Sequence, residues 1–493
     1  MIPQHRLEIQ NKFNYSIPTS GPALLILTML VICTHLGIAQ SVQINVSPNI
    51  EMNENADLRI LGQAQQNVFA ATFDPAKLNF YKFGSDMKMV SNREVVLHER
   101  RTNLHHIALV NNTIEIIYSY RNRSLLCFKV ETFDLALNLI DSSTIGFFDK
   151  QGYFPNFINL LSPQKHFLTI YYDDISNYRQ YFTIDIQKKS LLWTYRWDHS
   201  LEKTDARNQT DVLVDDKAIV YPIFSDFHAN NEKPPVKFII CKLTPKGQLP
   251  ASVIDVPFGI NEFKWSIDQT SSKLILTGTY WTKEETKAKG IFYSSMTLPE
   301  GFIMKYKLNE FRPAIIDALK ESKEKTENGI ENLSAPSIFH RSDGGLVMIL
   351  ERNRLVERSQ PTRAINGSYR SIFDYYYNDM LAVSIDSSGQ EAWSTPMFKR
   401  QYSQDDEGIY SSYASIKSPL ALRLAFNDEI RTNNTVSFYQ LLPDGTVSRE
   451  NILNLNINKL RLMFSQGVQI GQNTCIVPSF NRGRIKLAKF VFH

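Results

Sequence analysis

Between residues 351 and 378 the chain gathers the side chains best suited to recognition. Arg352, Arg354, Arg358, Arg363 and Arg370 are interleaved with Tyr369, Phe373 and the run Tyr375-Tyr376-Tyr377. A guanidinium presents a planar fork to carboxylates, and a tyrosine ring offers large amphipathic contact area. Arg352, Arg354, Tyr369, Arg370, Tyr375, Tyr376 and Tyr377 are therefore the candidate ligand-binding residues. The competing role for the same stretch is a long loop packed on its own scaffold, with tyrosines in a groove and arginines in solvent.

Catalysis has weaker support, and no catalytic residue is assigned. The sequence has no Gly-x-Ser-x-Gly elbow and no Ser-x-x-Lys pairing that reads as catalytic. Cys127, Cys241 and Cys475 lie inside apolar, strand-like runs, where a thiol is inert and buried. Three distant cysteines also make no disulfide framework. His105 and His106 would point to opposite faces of a strand, and His166, His199, His228 and His340 are isolated in sequence. Asp405-Asp406-Glu407 before Gly408 lacks the alternating oxygen ligands of a calcium loop and reads as a hydrogen-bonded turn. No metal and no cofactor are expected. Carboxylate pairs for glycoside cleavage exist at Asp173-Asp174, Asp215-Asp216 and Asp405-Asp406, but they would have to converge from separate elements.

The elements that must position these groups are strands. Of 493 residues, 43% are hydrophobic and 12% aromatic, and Phe 30 and Tyr 22 stand against only 21 Gly. The net charge of +4 comes without a basic run, which excludes nucleic acid as a partner. One unit recurs with a period of about fifty residues. It is an apolar strand, a short turn carrying Asp, Gly, Pro or Lys, then a second strand. The clearest copies are Tyr181 to Trp193 and Leu381 to Trp393. Others are Asn79 to Val95, Leu125 to Thr144, Lys237 to Val253, Phe302 to Ile316 and Val436 to Leu453, with a last copy at Arg484 to Phe492. An earlier strand precedes most of them, as at Ile114 to Ser119, Phe167 to Tyr172, Ile219 to Phe224, Lys273 to Tyr280 and Leu346 to Leu350. Four strands per unit at this spacing predict an all-β β-propeller of four-stranded blades. Eight blades are expected, with seven as the alternative. A strand at Ser41 to Val46 would close the ring and remove the exposed edge.

Two insertions interrupt the repeat. Residues 312–330 read as a short helix, opened by Pro313 and ended by Gly329, its polar second half in solvent. Residues 351–378 form the Arg- and Tyr-rich insertion. At the N-terminus Arg6 and Lys12, an apolar run from Ala23 to Cys33 and then Gly37-Ile38-Ala39 follow the order of a secretory signal, cleaved after Ala39. The apolar run is shorter than the roughly 20 residues a membrane span needs, so no transmembrane segment is expected in the mature chain. A lipoprotein signal at Cys33 is the alternative, against which Ile32 counts. Residues 40–493 are then a single propeller domain, periplasmic or extracellular.

The stretch Tyr375-Tyr376-Tyr377-Asn378-Asp379, Ile385-Asp386, Gly389, Trp393, Lys399-Arg400-Gln401, Asp405-Asp406, Gly408 and Ser411-Ser412-Tyr413 resembles a functionally uncharacterised family of exported β-propeller-like proteins of Gram-negative bacteria. The resemblance implies a compartment and a fold, and no reaction. Asp185, Lys189 and Trp193 are also similar to the docking turn of quinoprotein propellers, in which a tryptophan packs on the neighbouring blade. Ser384 to Gly389 with Trp393 approaches the Asp-box of sialidases, one residue out of register. The function expected from the sequence is an exported, non-catalytic propeller that binds a protein or glycan through loops on one face. The alternatives are a polysaccharide hydrolase or lyase with channel carboxylates or histidines, and a structural subunit of a cell-envelope assembly.

Overall fold

The computed structural model describes residues 42–493, apart from 53–55, 75–76, 98–101, 124, 150–155, 174–177, 199–208, 226–235, 282–286, 300, 302, 321–328, 362–368, 429, 431–434, 453–459 and 482. The leader read at 1–39, Asp174, His199, His228 and Arg363 lie outside the described residues.

Eight antiparallel sheets form a ring, so the expected eight blades hold and seven do not. Blade 1 is Asp57–Ala64, Asn67–Asp74, Lys77–Phe83 and Met89–Val96. Blades 2 to 5 follow at 102–149, 158–198, 209–256 and 259–310, and blade 7 at 414–452. Blade 6 is Ser337–His340, Leu346–Pro361, Tyr369–Ile385 and Glu391–Met397, with Gln401–Gln404 added. Blade 8 is Val468–Gly471, Thr474–Asn481 and Arg484–Phe492, completed on its outer edge by Val42–Val46. First strands of adjoining blades touch (blade 1 with 2 and 8, 3 with 4, 4 with 5, 7 with 8), which places them innermost. Second strands are covered on both sides, and Val220–Ser225 and Leu422–Asn427 are buried at every residue. That burial explains their continuous apolar character in place of alternation.

The closing strand is the one expected near Ser41. Val42 pairs with Phe492 and Val46 with Ala488. Val42 and Ile44 enter one core with Phe438, Phe464, Phe490 and Phe492. This strand covers the ladder edge that blade 8 would otherwise expose.

Tryptophans on two outer strands lock neighbouring blades. Trp193 Nε1 donates to Ala218 O of blade 4 at 3.1 Å, and Trp393 Nε1 donates to Pro443 O of blade 7 at 3.0 Å. Gly445 lies under the second ring with φ +87°, and a Cβ there would meet Trp393 Cδ2 at 2.7 Å. Gly445→Ala is therefore expected to destabilise the fold by about 1–3 kcal/mol through backbone strain and clash. Urea unfolding measures it, and an unchanged midpoint would contradict the docking role of Trp393.

Hairpins turn back at alternate ends, so each ring face has its own connections. One face carries the short turns between first and second strands and between third and fourth. Aspartates close many of them: Asp134 accepts from Ala136 N and Asn138 N, Asp343 from Gly345 N and Asp444 from Thr446 N. Those backbone donors hold the three carboxyls below the usual range. The other face carries the second-to-third and blade-to-blade connections, and both insertions emerge there.

Both insertions differ from the sequence expectation. The helix is only Pro313–Leu319, with Pro313 in its first turn, and Lys320 is already extended at ψ 147°. Ile315 and Leu319 are its buried residues, so its apolar face ends where the helix does. The remainder of the expected helix, 321–328, lies outside the described residues. The second insertion is a β-ribbon rather than a loop. The Leu346–Pro361 and Tyr369–Ile385 strands stay paired from Leu346↔Ile385 out to Pro361↔Tyr369, with one irregularity between Glu351 and Asn353. Aromatic residues at every second position from Phe373 to Tyr377 favour such a ladder.

Candidate functional site

The helix joins blades 5 and 6, the ribbon rises from blade 6, and residues 398–413 join blades 6 and 7. All three meet at the root of the ribbon around a buried ion pair. Lys399 Nζ has no exposure and lies 2.6 Å from Glu351 Oε1. It also donates to Gln401 Oε1 at 2.7 Å and to Tyr377 O at 3.0 Å. Ser412 Oγ donates to Glu351 Oε2 at 2.7 Å, and Gln401 Nε2 donates to Asn427 O of blade 7 at 2.7 Å. Burial pushes the Lys399 ammonium down from its ordinary pKa, and Glu351 opposes that push. Arg352 is 4% exposed and donates to Glu331 O and to Leu319 O, tying the helix to the same root.

Above this root the ribbon has two faces. On one, the Arg354 guanidinium lies 5.3 Å from the centre of the Tyr376 ring, and Tyr376 packs on Tyr402 at 5.1 Å. Tyr402 Oη donates to the buried Asp374 carboxylate at 2.7 Å, which Arg358 also grips through two nitrogens. On the other face Leu355 and Phe373 are exposed beside Tyr375, with Tyr377 over Gly408. Arg370 pairs with Asp405 at 3.1 Å at the distal end, and Tyr369 pairs with Pro361 in the ladder. Asp406 closes its turn by accepting from Ser403 Oγ and Gly408 N.

A cavity of about 470 Å³ opens at the root, and Lys320, Arg352, Arg354, Tyr376, Lys399 and Arg400 are among its walls. Of the candidates named from sequence, Arg352, Arg354 and Tyr376 come together on it. Tyr375 and Tyr377 lie on the opposite ribbon face, and Arg370 lies at the far end. Lys399, Arg400 and Lys320 were not singled out for this role, because 46 residues separate Arg354 from Arg400. Only the pairing of Gln401–Gln404 with the ribbon brings the two together.

Other candidates for chemistry sit apart. His105 occupies an irregularity in its strand pairing, so it and His106 do not simply alternate, and both are buried. His166 lies at a turn of blade 3 and His340 at the end of a blade 6 strand. Asp215 accepts from Lys217 N, Ile219 N and Tyr221 Oη, and Asp173 grips Arg179 on the opposite ring face. Asp211 and Glu262 lie on the innermost strands of blades 4 and 5, where burial raises both carboxyls above the usual range. Among the described residues no three His, Cys, Asp or Glu are grouped to hold a metal, and no helix is long and apolar enough to cross a membrane. Cys127, Cys241 and Cys475 are buried, and burial pushes the Cys475 thiol up to about 12.

No protein-family model matches the chain, and no curated protein does. Among solved structures it is similar to Sqt1 of Chaetomium thermophilum, at TM-score 0.42 and 9% identity over 90% of this chain and 98% of that one. The Nup133 β-propeller domain of Vanderwaltozyma polyspora gives TM-score 0.39 and 10% identity, over 93% and 99%. Polysaccharide lyase Uly1 gives 0.37 and 10%, over 79% and 89%. A likeness at this level is one of fold and says nothing of activity.

Proposed function

We propose that this protein is an exported, non-catalytic β-propeller that binds a protein or glycan partner outside the cytoplasm through the insertion-bearing face. The observation that carries the proposal is the root of the ribbon, where cationic and tyrosine side chains from the two insertions and the connection to blade 7 surround one cavity. Such convergence on a rigid ring suits binding, because the scaffold holds side chains from distant sequence in place before the ligand arrives. The leader pattern and the resemblance to exported propeller-like proteins of Gram-negative bacteria support the compartment.

Screening the mature protein on glycan and peptide arrays tests the role. Arg354→Ala and Tyr376→Ala are each expected to weaken the bound partner by about tenfold or more while the circular dichroism spectrum is kept. A partner bound equally by wild type and both variants would move the function away from the ribbon.

The second reading is a polysaccharide hydrolase or lyase working in the channel. Asp211 and Glu262 on the innermost strands favour it, since burial raises both carboxyls above their usual range. Its test is depolymerisation of a polysaccharide panel, lost in Asp211→Asn.

A further inference from the structure

We infer that the cavity at the ribbon root receives an acidic sugar, its carboxylate held by Arg354 and Arg400 and its hydroxyls by the amides around them. The inference rests on the binding role proposed above and names the ligand class for that site.

The charge on the cavity is one-sided. Lys320, Arg352, Arg354, Lys399 and Arg400 face Asp379 as the wall's carboxylate, and Asp379 Oδ1 already accepts from Lys399 N at 3.2 Å. Glu351 neutralises Lys399, and Lys320 pairs with Asp317 at 2.8 Å. Arg352 donates to the carbonyls of Leu319 and Glu331. Arg354 and Arg400 have exposed heads at the cavity, and Arg354 is steadied against Tyr376. A carboxylate entering there gains charge-assisted bonds from planar donors already oriented.

The rest of the wall distinguishes a sugar from a simple anion. Asn332, Asn353 and Asn378 line the same cavity, and amides both donate to and accept from hydroxyl groups. Asn378 Oδ1 is buried with no donor among the described residues. A buried acceptor left unpaired is costly, and a turn of the Asn378 side chain toward the cavity would let a ligand hydroxyl donate to it. At about 470 Å³ the cavity has the volume of an ordinary small-ligand site, room enough for a short sugar.

Titration calorimetry on the mature chain provides the test, with trigalacturonic acid and a hyaluronan tetrasaccharide as uronate probes. Neutral galactotriose and an oligo-aspartate peptide serve as comparators. At least one uronate probe is expected to bind and to weaken as salt is raised. Its affinity should fall about tenfold or more in Arg354→Ala and in Arg400→Ala, both exposed positions where the fold survives. Galactotriose should bind at least about tenfold more weakly than the uronate. Failure of both uronates, or unchanged affinity in the arginine variants, overturns the inference. Tighter binding of the aspartate peptide overturns it in favour of an acidic protein partner. The wider role is judged separately: an array partner without an acidic sugar that still depends on Arg354 leaves the role standing and removes this ligand class.

Discussion

Lys399→Met is expected to cost the fold about 3–5 kcal/mol, because it leaves a buried carboxylate without its counter-charge. Lys399 is fully enclosed and Glu351 nearly so, at 2.6 Å from each other. The pair joins the ribbon to the chain leaving blade 6, and Ser412 and Gln401 extend the network to blade 7. Glu351→Gln should be damaging in the same way, since it strands the ammonium instead. Replacing both partners by apolar residues of similar volume (Lys399→Met with Glu351→Leu) should recover most of the loss, because no charge is then left buried. Urea denaturation of the two single variants and the double closes the cycle. Single variants with wild-type midpoints would show that the pair is hydrated and peripheral. A double variant as damaged as the sum of the singles would show no coupling between them.

Acidification below neutrality is the second large effect, and it comes from blade 2. Burial holds His105 and His106 near a pKa of about 4 against 6.5 for a free imidazole, with Lys165 adding to the effect at His106. Asn159 Oδ1 at 2.9 Å and Ser119 Oγ at 2.7 Å bond the two ring nitrogens of His105, a pattern that one donating and one accepting nitrogen of a neutral ring satisfies. With the folded pKa below the unfolded one, the unfolded chain binds more protons between pH 6.5 and 4. The stabilisation is therefore complete above 6.5 and is lost as pH falls toward 4. Each histidine accounts for about 1.4 kcal/mol per pH unit in that window, reaching about 3 kcal/mol at its lower end. Unfolding midpoints at several pH values should fall steeply in wild type and less steeply in His105→Gln and His106→Gln. Parallel slopes in all three proteins would mean that neither ring is buried as a neutral group.

Much of the scaffold is legible in the sequence because each element satisfies a local rule. Ile219 to Phe224 reads as a strand by itself, and its neighbours on both faces explain why it does not alternate. The closing strand near Ser41 could be placed because the last repeat ends one strand short. The ribbon was less visible, since Tyr375-Tyr376-Tyr377 among arginines looks like recognition chemistry before it looks like a ladder. A period of two through Tyr369, Ser371, Phe373, Tyr375 and Tyr377, answered by Leu355 and Glu357 on the other strand, was the available signal. Glu351 and Lys399 gave none. They lie 48 residues apart, and only the return of the chain after blade 6 makes them partners. His105 shows a similar limit, because one irregular residue in a strand overrides the rule that neighbours face opposite ways.

The most direct test of the binding role is the position of a bound ligand. A crystal structure of residues 40–493 with the partner returned by the arrays should place it against Arg354, Tyr376 and Arg400 at the ribbon root. A ligand seated instead among the innermost strands, beside Asp211 and Glu262, would contradict that role and favour the channel enzyme.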